Sequence, residues 1–456
     1  MQKKYHIIVF GCQMNYADAE RVAAVLEKMG YKKTLKLEEA GLVAVIMCSI
    51  RQSAVDRIHW LIEKFRKIRN LQPNSYRLQT ILTGCILEKD KKVFIEGFDH
   101  VIDIKNISQL PKIMNKKSSL HKIDDRPNSA TMDYLDIKPK SFSKFSSSVP
   151  IMTGCNNFCA YCVVPYTRER EISRPASKII NEIKSLVKSG CKEIWLLGQN
   201  VNSYKDPKNK TTFAELLKKI NKIPGDFWIR YTSSHPKDFK QDVIDAMADL
   251  PAKASAKAEG NHITPYLNLP VQSGDDKVLR SMKRWYTIKQ YRKIISDLRK
   301  KIPNIAISTD IIVGFPGETK TQFNNTVKLF KDIKYDMAYI NKYSPRSGTT
   351  AAKLKDSVSW PEKKRREKIL TDTLRETAFK NNKKLIGKIV KVLIDNKKDD
   401  TYFGKTDTYK SIKISTFAKA SVDKQKSKTK NKNLIGQFYN VKIIKANNWN
   451  LEGKII

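Results

Sequence analysis

In 456 residues the chain carries 87 lysines and arginines against 46 aspartates and glutamates, a formal net charge of +41 at neutral pH. A charge of that size exceeds what solubility requires and points to a polyanionic partner, RNA or DNA before a membrane, although a general bias toward lysine contributes to it. Seven cysteines over such a length exclude a disulfide scaffold, and the sequence shows neither a transmembrane-length apolar run nor a signal peptide after Met1, so a soluble, reducing, cytoplasmic setting is expected.

Length predicts about three domains. The first, residues 1–120, alternates strand and helix patterns: apolar runs at 7–10, 42–47 and 80–83 read as buried parallel strands. Amphipathic helices at 17–29 and 53–69 separate them, the first closed by Gly30. This is an open, doubly wound α/β unit. Cys12, Cys48 and Cys85 each fall just beyond the C-terminal end of one of those strands, the edge on which open α/β sheets bind ligands. Three small buried hydrophobes would also satisfy the pattern.

Residues 121–148, polar and serine-rich from Asp124 onward, read as a linker. Beyond it βα alternation resumes with strands predicted at 149–152, 193–197, 228–232, 266–270, 305–313 and 337–343. Ile179, Ile180, Ile183, Leu186 and Val187 mark one helical face, and Thr212 to Glu215 has the form of a capping box. Six such units predict a partial barrel, open on one side, rather than the complete eight. From about residue 381 the period becomes two, with short strands at 389–394, 401–405, 412–415 and 438–445 of a small antiparallel barrel. Residues 415–432, with six lysines and Asp423 as the one acid, read as a loop able to track phosphates or simply to be solvated. Residues 252–260 form a second insertion.

The most informative stretch is Gly154 to Cys162, which holds Cys155, Cys159 and Cys162 at spacing C-x3-C-x2-C on the loop after the first barrel strand. Three thiolates can hold three irons of a [4Fe–4S] cube and leave the fourth open, whereas an electron carrier supplies a fourth cysteine. A zinc knuckle would need a fourth ligand, and no histidine lies nearby. Chemistry in barrels of this kind is found on the same C-terminal face. Cys191 stands outside both trios and reads as core packing.

Ordered motifs then carry a resemblance: Gly11-Cys12-Gln13-Met14-Asn15, Cys48-Ser49-Ile50-Arg51, Thr83-Gly84-Cys85, and Met152 through Cys162 with Tyr161 before the last cysteine. Val163-Val164-Pro165-Tyr166-Thr167-Arg168, Leu196 to Asn202, Tyr231 to Pro236, Leu269 to Gly274, Asp310 to Thr319 and Ser344 to Thr349 continue it. The chain resembles the methylthiotransferases of the radical S-adenosylmethionine (SAM) superfamily, and within them the branch that acts on N6-dimethylallyladenosine of tRNA. Met47, Trp285 and Asn268 depart from the residues usual in relatives.

What the resemblance implies is an α/β protein of three parts. Residues 1–120 form a methylthiotransferase N-terminal domain with an auxiliary [4Fe–4S] cluster on Cys12, Cys48 and Cys85. Residues 149–375 form a partial (β/α)6 radical SAM barrel with the second cluster on Cys155, Cys159 and Cys162. Residues 376–456 form a TRAM barrel that grips RNA. Tyr161 belongs to the cluster loop. Gln199 and Asn200, and Gln272 and Ser273, end the second and fourth barrel strands, placed to hold the methionine end or ribose of SAM. Asp310, Gly314 and Glu318 resemble the segment bordering its adenine. Local turn capping is the alternative for each.

The implied reaction replaces the C2 hydrogen of N6-isopentenyladenosine at position 37 by a methylthio group. No side-chain acid or base can abstract that hydrogen, so the cofactor must do so as a hydrogen atom. Two SAM molecules are consumed per turnover, one cleaved reductively and one donating methyl. The partners implied are the tRNA anticodon arm, a flavodoxin- or ferredoxin-like reductant and a sulfur donor, with the enzyme a monomer. Rival readings are methylthiolation of N6-threonylcarbamoyladenosine 37, methylthiolation of a ribosomal-protein aspartate, and a non-catalytic RNA-binding iron–sulfur protein.

Overall fold

The computed structural model describes residues 3–50, 52–71, 78–115, 133–248, 261–415 and 434–456. The insertion at 252–260, all of the lysine-rich loop but Ser415, Arg51 and the first part of the expected linker lie outside the described residues. No described helix is long and apolar enough to cross a membrane.

The N-terminal sheet comprises β1 (Lys4–Phe10), β2 (Lys32–Lys33), β3 (Leu42–Cys48), β4 (Gln79–Cys85) and β5 (His100–Val101). Its order is β2-β1-β3-β4-β5, parallel throughout. Helices α1 (Gln13–Lys28), α2 (Gln52–Leu71) and α3 (Glu88–Phe94) make the crossovers that parallel strands require. All seven residues of β3 are buried, as a central strand covered on both faces must be. The doubly wound unit therefore stands as predicted, with two edge strands too short to carry a period.

Two short helices follow, α4 (Leu110–Asn115) and α5 (Asp133–Asp136). Here the structure corrects the expected linker. Tyr134 and Leu135 are 0% and 1% exposed and join the core beneath α1, and Ser146 already lies in the first barrel strand. One aromatic and one leucine in a polar stretch give no periodicity to read.

The central unit runs β6 (Ser146–Pro150), β7 (Met152–Thr153), α6 (Val164–Thr167), β8 (Ile172–Ser173), α7 (Ala176–Lys188), β9 (Glu193–Leu197), α8 (Phe213–Asn221), β10 (Trp228–Tyr231) and α9 (Gln241–Ala248). It continues β11 (Tyr266–Asn268), α10 (Asp276–Ser281), α11 (Ile288–Lys301), β12 (Ala306–Val313), α12 (Lys320–Ile333) and β13 (Met337–Lys342). Strands β6, β9 and β10 form one parallel sheet and β11, β12 and β13 another. A parallel bridge from Ile229 to Ile263 links the two. Among the described residues no ladder joins β6 to β13, and α1 of the N-terminal unit packs against β6 at the open side.

The expected boundary at 375/376 falls inside a continuous helix, α13 (Trp360–Lys383). Asn382 near its end donates to the carbonyls of Asn447 and Asn448 at 2.9 and 3.2 Å, tying it to the last domain. That domain is a closed barrel of β14 (Ile389–Lys398), β15 (Thr401–Thr406), β16 (Ser411–Ile414), β17 (Phe438–Ala446) and β18 (Asn450–Ile455), in the order β14-β15-β16-β18-β17. The fifth strand was not anticipated. Gly453 interrupts its alternation, and a Cβ there would meet Val441 Cγ1 at 2.4 Å.

Candidate active site

Register places the first cysteine trio. Phe10 pairs with Met47 across β1 and β3, and Cys48 pairs with Cys85 across β3 and β4. The chain therefore leaves three neighbouring parallel strands at one level, and Cys12, Cys48 and Cys85 come together at that edge. Cys48 and Cys85 are each 3% exposed, whereas Cys12 is exposed. Asn15, fully buried, stitches them: Cys12 N and Sγ donate to its Oδ1 at 3.2 and 3.4 Å. Its Nδ2 donates to Met47 O at 3.1 Å and lies 4.0 Å from Cys85 Sγ. A hydrogen bond from Cys48 pushes the Cys85 thiol down to about 6, the Arg168 guanidinium adding to it, and the same bond with burial pushes Cys48 up.

The second trio sits on the loop between β7 and α6. Gly154 holds φ +81°, and a Cβ there would strike Arg170 O at 2.0 Å, so the loop can pass under the returning chain only with glycine. Cys155 N donates to Glu169 O at 3.1 Å and Cys162 N to Cys159 O at 2.9 Å. Ala160 is clamped from both sides, donating to Met282 O at 2.9 Å and accepting from Ala351 N at 2.7 Å. Arg284 lies 5% exposed beneath, its guanidinium 3.7 Å from Cys159 Sγ and 3.3 Å from Tyr161 Oη, with further bonds to Tyr286 Oη at 2.7 Å and Pro270 O at 2.7 Å. Burial raises Cys155, and burial with the Cys159 charge pushes Cys162 up to about 12. Bound iron reverses such a shift, since a coordinating thiol is deprotonated outright.

Among the described residues no three His, Cys, Asp or Glu side chains close on a single metal ion. Thiolates around one tetrahedral zinc stand about 4 Å apart, whereas those of a cube each bind their own iron.

The polar residues expected around SAM divide into two groups. Gln199 Oε1 and Asn200 Oδ1, on the turn after β9, are buried without a hydrogen-bond partner. Asn200 Nδ2 is fixed by Asp238 Oδ2 at 2.7 Å, and Asn157 of the cysteine loop donates to the same oxygen at 3.5 Å. Gln272 is held at φ +69°, its N donating to Asp310 O at 2.8 Å and its O accepting from Ile312 N at 3.0 Å. Strain of that kind collects at functional sites.

The other group makes contacts within the fold. Ser273 Oγ accepts from Asp275 N at 3.3 Å as a turn cap. Glu318, 4% exposed, accepts at Oε2 from Gly314 N at 2.7 Å and from Arg366 at 2.6 Å, so that oxygen shapes the Gly314 turn. Asp310 receives Asn268 Nδ2 at 3.2 Å.

Four residues were not singled out from the sequence. Ser234 Oγ and His235 Nε2, after β10, are buried and unpartnered beside the Gln199–Asn200 turn. His235 Nδ1 accepts from Lys237 N at 3.2 Å, so its proton sits on Nε2. Burial and the Arg284 and Lys237 charges hold that imidazole at about 2, neutral throughout the working range. Arg284 and Arg168 are buried cations that a basic sequence hides. Together the unpartnered Gln199, Asn200, Ser234 and His235 atoms offer two carbonyls, a hydroxyl and an N–H on the turns after β9 and β10. That set fits the ammonium, carboxylate and ribose of an amino-acid nucleoside.

Comparison with known proteins shows the family. The Radical SAM superfamily matches residues 149–330, and the uncharacterized protein family UPF0004 matches residues 4–104. The tRNA-2-methylthio-N(6)-dimethylallyladenosine synthase of Clostridium botulinum strain Hall is 38% identical over 467 residues, 99% of this chain and 97% of its own. That of Carboxydothermus hydrogenoformans is 37% identical over 465 residues, covering 100% of each. Among solved structures, the radical S-adenosylmethionine methyltransferase TsrM of Kitasatospora setae superposes with a TM-score of 0.53 at 14% identity, over 74% of this chain and 73% of its own, a likeness of fold. The superfamily implies a [4Fe–4S] cluster and SAM. The chain belongs to the radical SAM methylthiotransferases, in the group of tRNA-2-methylthio-N(6)-dimethylallyladenosine synthases.

Proposed function

We propose that the protein methylthiolates carbon 2 of N6-isopentenyladenosine at position 37 of tRNA, with one [4Fe–4S] cluster on Cys155, Cys159 and Cys162 and another on Cys12, Cys48 and Cys85. The observation that carries this reading is full-length identity of 36–38% to relatives named for that product. Two separate thiol trios, each at the C-terminal edge of a parallel sheet, support it. When bound, the cluster and SAM together supply a one-electron reductive cleavage that removes a hydrogen atom from an aromatic carbon.

The chain's own residues bind and orient. Gln199, Asn200, Ser234 and His235 receive the polar ends of SAM, and neutral His235 donates from Nε2 without titrating. Gln272, held in its strained turn, closes the far wall, and Glu318 and Arg366 fix the Gly314 turn from behind. The target base must leave the anticodon-loop stack to reach these groups.

RNA is gripped through phosphates by the terminal barrel. Lys442 and Lys454 are Cα partners on β17 and β18 and both are exposed. Like charges placed directly opposite destabilise a sheet and are repaid by a polyanion. Mass analysis of nucleosides from tRNA carrying either N6 modification, incubated with anaerobically reconstituted protein and reductant, tests the proposal. The 2-methylthio-isopentenyl nucleoside is expected; product only from threonylcarbamoyl tRNA, or none from either, would overturn it.

A further inference from the structure

The link between the two trios is a single buried side chain. Arg168 is 3% exposed and caps the C-terminus of α6, the helical turn whose N-cap Val163 follows Cys162. The next residue, Glu169, accepts the Cys155 amide through its carbonyl. Arg168 is thus held between the two ends of the radical-core cysteine loop. Its tip leaves that domain. Nε donates to Cys85 Sγ at 2.9 Å, one terminal nitrogen to Asp18 Oδ2 at 2.5 Å, and the other to Tyr134 Oη at 3.4 Å. Asp18 is fully buried and its second oxygen has no partner.

A plain domain pin needs no cation here. Burying a guanidinium costs several kcal/mol before its partners offset it, and apolar packing would join the surfaces as well. A neutral thiol is a weak acceptor. A metal-bound thiolate is a stronger one, and hydrogen bonds to cluster sulfurs are among the factors that set a cluster's potential. Arginine alone can serve a sulfur and a carboxylate at once from a rigid fork.

Resting on the proposal that Cys12, Cys48 and Cys85 hold a cluster, we infer that Arg168 is a positioning residue which ties that cluster to the radical core and raises its reduction potential through the N–H to Cys85 sulfur. The positive charge and the donated bond favour the extra electron; the adjoining Asp18 carboxylate moderates the effect.

The test uses full-length protein in which Cys155, Cys159 and Cys162 are alanine, so that one cluster remains, reconstituted anaerobically and titrated by electron paramagnetic resonance. Arg168→Met is expected to retain about four irons per chain and to titrate at a lower potential than its parent, with Arg168→Lys between the two. Asp18→Asn, which keeps the bond to Cys85 and removes the neighbouring negative charge, is expected to titrate higher. If Arg168→Met loses its irons, Arg168→Lys and Asp18→Asn carry the measurement. An unchanged potential in the iron-replete variants would overturn the inference and leave Arg168 a pin. A parent without iron would instead defeat the reading of the N-terminal trio.

Discussion

Replacing Arg230 should loosen the terminal barrel from the radical core, and the structure gives the size of the effect. The side chain is fully buried at the N-terminal end of the central barrel, Nε donating to Glu193 Oε1 at 2.7 Å. Its terminal nitrogens donate to Thr264 Oγ1 at 3.1 Å, Asp407 O at 2.6 Å and Thr406 O at 2.8 Å, the last two from the hairpin of the terminal domain. Trp228, Tyr409 and Trp195 ring the guanidinium at 4.9, 5.0 and 5.8 Å from their centroids. Arg230→Met leaves the Glu193 carboxylate buried with Ser146 Oγ as its remaining side-chain partner, a lesion of about 3–5 kcal/mol. Removing the acid as well, in Arg230→Met/Glu193→Met, relieves the stranded charge. The Asp407 carbonyl still lacks a donor, at about 1–3 kcal/mol, while Thr406 O keeps Tyr409 N at 3.0 Å, so the double variant should recover only part of the loss. Urea unfolding of the apoprotein, read by tryptophan fluorescence, measures both. A single-variant loss below about 1 kcal/mol, the range of an exposed ion pair, or a double variant no more stable than the single, would refute the reasoning.

Further outcomes follow from other sites. The His235 imidazole, held at about 2 in the folded chain, takes up a proton on unfolding below about pH 6.5. Stability is therefore intact above about 6.5 and falls with pH from there toward 2, by up to about 1.4 kcal/mol per unit. His235→Asn, which keeps an acceptor for Lys237 N, should remove that slope in a pH series of urea midpoints; an unchanged slope would contradict the neutral assignment. Affinity for tRNA should fall steeply with salt, and Lys442→Ala/Lys454→Ala should flatten the log–log slope by about 0.7–0.9 for each phosphate left without its lysine. A slope indifferent to both lysines would move the RNA grip elsewhere. Glu318→Ala removes one of two carboxylates from the Arg366 guanidinium, 4% exposed, which keeps Glu362 Oε1 at 2.8 Å, and should lower stability by about 1–3 kcal/mol on thermal unfolding. A change confined to SAM affinity would instead mean that the carboxylate touches the cofactor.

The parts legible in the sequence were those with a period or a spacing. The strands predicted at 42–47 and 80–83 are buried on both faces and that at 7–10 is half-buried, and each reads as an apolar run with a cysteine just after it. Helix α13 escaped notice because its buried stripe of Leu370, Leu374 and Ala378 is interleaved with charged residues, and Lys363 and Arg366 are themselves buried. Strand β18 escaped because Gly453 stands where the alternation needs a side chain. The two cysteine trios are legible from spacing and strand ends, whereas Arg168, Arg284 and Arg230 are not. Among 87 basic residues, a buried cation looks like a solvated one until its partners, distant in sequence, are brought to it. Glu318 shows the reverse: its motif marks it as a cofactor contact, and bonds from Gly314 N and Arg366 that no motif reveals also give it a part in holding a turn.

The two-cluster account is tested most directly by counting iron and resolving cluster spectra in oxygen-free preparations of three proteins: the native chain, Cys12→Ala/Cys48→Ala/Cys85→Ala and Cys155→Ala/Cys159→Ala/Cys162→Ala. The account predicts about eight irons for the first and about four for each of the others, with SAM perturbing the spectrum only where the core trio is intact or the auxiliary iron is open to it. About four irons in the native chain, or about eight persisting after the N-terminal trio is removed, would contradict it.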